Sequence, residues 1–313
     1  MAQITRANAT ALIPEQNVQG IIKAAYADSV SLRLMRQARM SAGVSKQPVM
    51  SVLPQGGWVS EGGRKSTSSA EWANVTLTAE ELAVIVPIHE NVLEDADYDI
   101  WGEVTPAVAS EFGRLLDLAT LFGVGPTSFG VSVVEHAVAA GNVVREGASA
   151  VDIGEDLNQV MAKVEVDGFA PTAWAAPITQ KSKLRGLRDD NGQPIYASSI
   201  AGGMPSTIHD VPVEWSKNGG WDEDDDTGAL FVTGDWSKAI VGIRRDVTVK
   251  LLTEATLTDG AGAVVISLAE QDMVALRFVF RVGFALANPV TQANPTTATR
   301  SPFAILGAPL VVG

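Results

Sequence analysis

The chain has 313 residues, of which 46% are hydrophobic, a formal net charge of −13 and no cysteine. That is ample material for one large or two modest cores. It excludes disulfides and thiolate metal sites, and an acidic chain of this kind has no general attraction for phosphate backbones.

The opening residues, MAQITRANATALIPEQ, lack the basic-then-apolar pattern of a secretory signal, and no apolar run approaches the roughly 20 residues that span a bilayer. The expectation is a soluble protein made in a cytoplasm. Residues 1–46 read as an arm. Pro14 suits a helix start, and Ile21, Ile22, Ala25, Val30, Leu32, Leu34 and Met35 supply apolar contacts. Arg33, Arg36 and Arg39 form either a solvated helix face or a basic surface for an acidic neighbour.

Residues 48–79 read as a long hairpin. Val49, Val52, Trp58 and Val59 lie on the outgoing leg. Glu61 to Ser69 is a polar, turn-rich tip that includes Gly62, Gly63, Arg64 and Lys65. Trp72, Val75, Leu77 and Ala79 mark the return. The apolar phase then slips to Leu82, Val84, Val86 and Ile88, which predicts a bulge or bend near Glu80-Glu81. A lone two-stranded hairpin is marginal in water. It folds back on its own chain, stays disordered or packs on a neighbouring subunit, and periodicity does not choose among these.

An acidic stretch with Glu94, Asp95, Asp97 and Asp99 precedes a helical stripe of Val104, Val108, Phe112, Leu115, Leu116, Ala119 and Phe122, stopped by Gly123. Thr105-Pro106 is either a cap and first turn or a kink in a helix that begins near Asp99. Gly123-Val124-Gly125-Pro126 follows a helix rather than opening one, so it is not a phosphate loop.

Residues 131–262 alternate helices with short strands. A helix capped by Asp152 carries Ile153, Leu157, Val160, Met161 and Val164. A strand at 172–176, a short helix with Leu184 and Leu187, and a turn at Arg188-Asp189-Asp190-Asn191-Gly192 follow. Short strands are expected at 211–215, 230–233, 239–243 and 247–252, giving a mixed α+β unit. Finally, Val274, Leu276, Phe278, Phe280, Val282, Phe284 and Leu286 take every second position of one long strand, closed by Asn288-Pro289. Its other face is smaller and carries Arg277 and Arg281.

No constellation points to catalysis, a cofactor or a metal. His89, His136 and His209 have no partners at ligand or triad spacing. Asp222 to Gly228 begins like a calcium loop, but its glycine falls late and the closing Glu is missing, so a solvated loop is expected. The carboxylates from Glu94 to Asp99 have an ordinary place at a helix start, with no nucleophile beside them.

Set in order, these pieces resemble the major capsid proteins of tailed bacteriophages, which have the Hong Kong 97-type fold. The resemblance spans nearly the whole chain. It is carried by Trp58-Val59-Ser60-Glu61-Gly62-Gly63, Trp72, Val75-Thr76-Leu77, Leu82 to Ile88, Glu90-Asn91-Val92-Leu93-Glu94-Asp95 and Asp117 to Gly123. Later markers are Ala170-Pro171-Thr172-Ala173-Trp174, Leu187 to Ile195, Gly203-Met204-Pro205, Gly234-Asp235-Trp236 and the strand through Arg281.

The resemblance implies an α+β fold with an N-terminal arm (1–46), an extended loop lying over the adjacent subunit (47–80), a peripheral domain with a long spine helix (81–130 and 263–313) and an axial domain (131–262). It implies pentamers and hexamers in an icosahedral shell that encloses double-stranded DNA without reading its sequence. Portal, scaffolding and decoration proteins are the implied partners, with assembly in the host bacterial cytoplasm and no membrane. Trp58, Glu61, Arg64, Lys65, Trp72 and Leu77 are the candidate inter-subunit contacts.

Two departures stand out. Some members weld the shell by an isopeptide bond between a loop-tip Lys and an Asn, promoted by a Glu. Lys65 matches the Lys, but Asp272 and Val279 fall where the Asn and Glu belong, so no weld is expected. Some members also carry a long scaffolding segment ahead of the arm, whereas here the arm begins almost at Met1, which leaves a separate scaffolding protein or none. An encapsulin-type shell with an enzyme cargo, an α+β enzyme and a cell-surface adhesion module are the competing readings.

Overall fold

The strand expected across 274–286 is the interior of a four-stranded sheet. In the computed structural model, which describes residues 28–95, 99–147, 153–187, 207–222, 228–258 and 260–309, it runs Met273–Leu286 (β13). It pairs antiparallel with β10 (Ala239–Leu252) on one side and β4 (Glu80–His89) on the other. A short strand β1 (Arg36–Arg39) adds in parallel to β10. Leu276, Phe278, Phe280, Val282 and Phe284 enter the main core, as the alternation requires. Against them lies the spine helix α3 (Ile100–Phe122), whose Phe112 stacks on Phe280 with ring centroids 6.3 Å apart.

The helix resolves the ambiguity at Pro106: it begins at Ile100 and runs through the proline. Asp99 holds the N-cap position without a side-chain capping bond, so its charge acts through the helix dipole alone. Gly123 ends the helix at φ 76°, in the left-handed region. A short helix α2 (Glu90–Asp95) precedes it, and α1 (Val30–Leu34) lies near the start of the described chain.

The second sheet has six strands in the order β5-β14-β9-β6-β8-β7: Val143–Arg145, Phe303–Gly307, Ala229–Gly234, Ala173–Pro177, Val211–Ser216 and Thr207–Ile208. Both of its faces are covered. Trp174, Ala176, Phe231, Ala304 and Leu306 meet the helix α5 (Ile153–Val166), while Ala173, Ala175, Val232, Phe303 and Ile305 face the main core. Helices α4 (Val133–Ala139) and α6 (Lys181–Gly186) complete this part. The first 27 residues, Asp97, Asp152, the turn expected at 188–192, the marker at 203–205 and the acidic run at 223–227 lie outside the described residues.

Several expectations need correction. The strands expected at 239–243 and 247–252 are one strand, β10, whose register shifts twice between Ile243 and Thr248. Arg244-Arg245-Asp246 looks like a turn in sequence but forms a bulge within the ladder. β10 also belongs to the four-stranded sheet, although it falls inside 131–262. Conversely, β14 belongs to the six-stranded sheet, although it falls inside 263–313. The arm is not wholly separate either, since β1 and the start of β2 (Val44–Val52) fall within 1–46. Strand pairing over such sequence distances is set by tertiary fit, which local pattern does not encode.

One buried carboxylate joins three parts of the molecule. Asp117, on the inner face of α3, is fully buried. Its Oδ1 accepts from Ser29 Oγ at 2.7 Å and from the Ser31 N–H at 2.9 Å. Its Oδ2 accepts from the Val30 N–H at 3.1 Å and from Asn218 Nδ2 at 2.9 Å. The spine helix thereby grips the first turn of α1 and the segment that leaves β8. Burial pushes the Asp117 carboxyl above the ordinary carboxylate range, and the donors oppose that shift. Arg33 reinforces the junction through an ion pair with Glu214 at 2.7 Å.

Replacing Asp117 with Ala strands buried donors from two directions and lowers the unfolding free energy by about 3 kcal/mol. Glu111→Ala, which breaks an exposed pair with Arg114 on the same helix, changes it by less than about 0.5 kcal/mol. Urea unfolding midpoints of the two variants check this.

Candidate inter-subunit surface

The hairpin leaves the body over two glycines. Gly242 and Gly283 stand opposite one another in β10 and β13. A Cβ on Gly283 would meet the Thr78 carbonyl oxygen at 2.6 Å, and one on Gly242 would meet Leu77 Cδ2 at 2.9 Å. The missing side chains make a hollow on the outer face of the sheet. Met40, Leu77 and Ala79 fill it together with Ile240, Ala285 and Ala287.

Leu77 is therefore removed from the candidate contacts. It is fully buried against its own chain and anchors the base of the projection. Its apolar periodicity is genuine, but the partner is the hollow beneath it. The phase slip falls at Ala79, between β3 (Glu71–Thr78) and β4, where the chain passes from one ladder to another.

Beyond the base, β2 and β3 pair from Val44↔Thr78 to Val52↔Glu71. The strand expected through Trp58 and Val59 ends earlier, at Val52. From there to Ala70 the chain is an extended loop tied by few local bonds. The Gly63 N–H donates to the Ser60 carbonyl at 2.9 Å, closing a turn with Gly62 at φ 78°. The Gln55 N–H donates to Ser68 Oγ at 2.7 Å.

Five of the six candidate residues sit on this projection, all exposed. Trp58 is 106% exposed and Trp72 62%. Glu61, Arg64 and Lys65 are exposed at or beside the tip turn. Val52 and Val59 add exposed apolar surface. An indole with no intramolecular cover is a poor element of a solitary fold, and it suits an anchor for a second surface.

Elsewhere the candidates stay apart. His136 is tucked between Ser301 and Asn288, His209 Nε2 lies 3.2 Å from the Gly154 carbonyl oxygen, and His89 ends β4. Asp272 precedes β13 with φ 49°, and its carbonyl accepts the Glu90 N–H. Val279 is buried mid-strand opposite Ala83. Among the described residues, no group of three His, Cys, Asp or Glu is placed to hold a metal ion, and no helix is long and apolar enough to cross a membrane.

Sequence reasoning missed one exposed element, the hairpin of β11 (Thr256–Thr258) and β12 (Val264–Ser267), with Val264 and Val265 outward. Its signal was present in Gly260-Ala261-Gly262 between two β-prone runs. Asp117 was also missed as a tether. A carboxylate on the buried stripe of α3 was the available clue.

Comparison with known proteins gives consistent results. The sequence pattern of the Phage capsid family matches residues 9–291. A major capsid protein of Staphylococcus phage 80alpha is 28% identical over 248 residues, covering 78% of this chain and 72% of that protein. A solved structure from Microbacterium phage Oxtober96 is 41% identical, covers 98% of this chain and 100% of its own, and superposes with a TM-score of 0.78. One from Mycobacterium phage Cain is 32% identical with the same TM-score, covering 99% and 100%.

Trp58→Ala leaves the unfolding of the dissociated chain within about 0.5 kcal/mol of the parent and weakens self-association by about 2 kcal/mol per contact. Leu77→Ala lowers the stability of the chain itself by about 2–5 kcal/mol. Denaturant unfolding paired with sedimentation separates the two effects.

Proposed function

The chain belongs to the phage capsid family, and from that premise we propose that its copies close into an icosahedral head by laying the 47–80 loop of each subunit over the next. The function is that of a major capsid protein, a structural subunit of a virion shell. The observation that carries the loop reading is the full exposure of Trp58 on a projection its own body does not cover. Covering it takes a second copy, and a head-to-tail contact closes into a ring when the rotation between neighbours divides a full turn.

In this reading the rings are pentamers and hexamers, with the 47–80 loop as the inter-subunit clasp. Trp58 and Trp72 are its apolar anchors, and Glu61, Arg64 and Lys65 pair with charges on the neighbour. The shell encloses double-stranded DNA without sequence readout, in keeping with a net charge of −13. Portal and scaffolding proteins, and a decoration protein in some shells, are the expected partners, with assembly in the host bacterial cytoplasm. The subunit is not an enzyme. An encapsulin-type compartment would use a similar shell, but the family and relatives are those of phages.

The shell is held without covalent welds. Lys65 offers an amine at the tip, but Asp272 provides a carboxylate where an amide is needed, and Val279 has no basic atom and is buried.

Electron microscopy of the purified protein should reveal closed particles of uniform diameter; single chains at every concentration would overturn the shell reading. Denaturing electrophoresis of mature particles should then give one band near 32.9 kDa. A ladder of linked chains would overturn the unwelded assignment.

A further inference from the structure

Residues 287–302 carry the chain from β13, in the interior of one sheet, to β14, inside the other. Buried polar groups hold this joint. Arg300 is 1% exposed, and its guanidinium turns back along the segment. Nε donates to Asn288 Oδ1 at 3.0 Å, Nη1 to the Asn294 carbonyl at 2.8 Å and Nη2 to the Asn288 carbonyl at 3.1 Å. Asn288 Nδ2 donates back to the Arg300 carbonyl at 2.8 Å. Asp167, just beyond α5, accepts from Asn294 Nδ2 at 2.7 Å, from the Ser301 N–H at 2.9 Å and from Asn142 Nδ2 at 2.8 Å. On the remaining side, His136 of α4 places Nδ1 2.9 Å from Ser301 Oγ and Nε2 3.5 Å from Asn288 Nδ2.

This network fixes where the imidazole proton sits. Asn288 is not free to turn over, because Oδ1 serves Arg300 Nε while Nδ2 serves the Arg300 carbonyl. The group that faces His136 Nε2 is therefore a donor. Nε2 is the bare nitrogen, and Nδ1–H donates to Ser301 Oγ.

We propose that His136 is a pH-operated catch on the joint between the two sheets. Proton uptake at Nε2 sets N–H against the Asn288 amide and adds a second cation near the Arg300 guanidinium, so the 288–301 segment opens. The charges around the ring do not offset this. Asp167 is already engaged by two donors of the joint and by Asn142. Glu135, on the same helix, accepts the Ser132 N–H at 2.8 Å. Asp235 and Lys238, on the turn that bonds Pro302 and Ala287, pair with each other at 3.3 Å. Burial, and then Arg300, hold His136 below the usual histidine range, which agrees with a ring that is neutral in the closed joint.

The sign follows from linkage. The ring is neutral when closed and regains the ordinary histidine pKa of about 6.5 when opened. The closed joint is therefore at full strength above that value and weakens as pH falls through it. Opening should be more frequent at pH 5.5 than at pH 7.5, with about tenfold as the upper limit that linkage sets.

Hydrogen–deuterium exchange on the full-length protein at the two pH values, corrected for intrinsic exchange, reads this directly. Amides of 288–303 should lose protection at pH 5.5, by up to about tenfold, while those of the fully buried β6 hold theirs. In His136→Asn, which keeps a donor toward Ser301, or in His136→Gln, the loss should vanish. Unchanged protection of the segment in the parent protein would overturn the proposal, as would an equal loss in either variant. The parent measurement alone decides if neither variant folds.

Discussion

The whole arrangement depends on a mismatch between the apolar surface the chain makes and the surface its own body can cover. The two sheets and the spine helix satisfy their own requirement: the alternate large residues of β13 meet Phe112 and its neighbours, and the six-stranded sheet is covered on both faces. The projection does not. It is rooted in the body through Leu77, and beyond that root it holds two tryptophans in water. Removing an indole from water contributes at least as much as most single contacts in a fold. A chain that retains such a surface is a component, and the natural complement in a repeating shell is another copy of itself.

The body must be rigid for this to work, because a displaced root would shift every contact further along. Two buried polar junctions supply that rigidity by different means. Asp117 ties the spine helix to α1 and to the segment after β8 with donors from both sides. Arg300 and Asp167 tie the passage between the sheets, largely through main-chain and amide groups. Fully satisfied networks of this kind specify one arrangement, and breaking one partner costs more than the pair contributes when whole. A structure with few discrete joints can shift its sheets as rigid bodies if one joint is released, which is where a titratable histidine has most leverage.

Much of the fold was legible in sequence because it is written in short-range periodicity. The alternation from Val274 to Leu286 and the stripe from Val104 to Phe122 each give an element within a few residues of its observed limits. Features decided by distant partners were not legible. Arg244-Arg245-Asp246 reads as a break, yet pairing with β13 carries the strand through it. The placement of β14 in the six-stranded sheet depends on β5 and β9, neither of which is its neighbour in sequence. Leu77 shares its face of β3 with Val75, but only the glycine pair at 242 and 283 explains why Leu77 alone is fully buried, while Trp72 lies on the opposite face. The partners of Asp117 lie 86 or more residues away on one side of it, and no spacing rule reaches that far.

The most direct measurement is hydroxyl-radical footprinting of Trp58 in dissociated chains and in assembled particles. The account predicts rapid oxidation in the free chain and protection of about tenfold or more once the shell has closed, with Trp174, buried in both states, as the internal reference. Equal oxidation of Trp58 in chain and particle would mean that no second copy covers the projection, and the account would be wrong at its root.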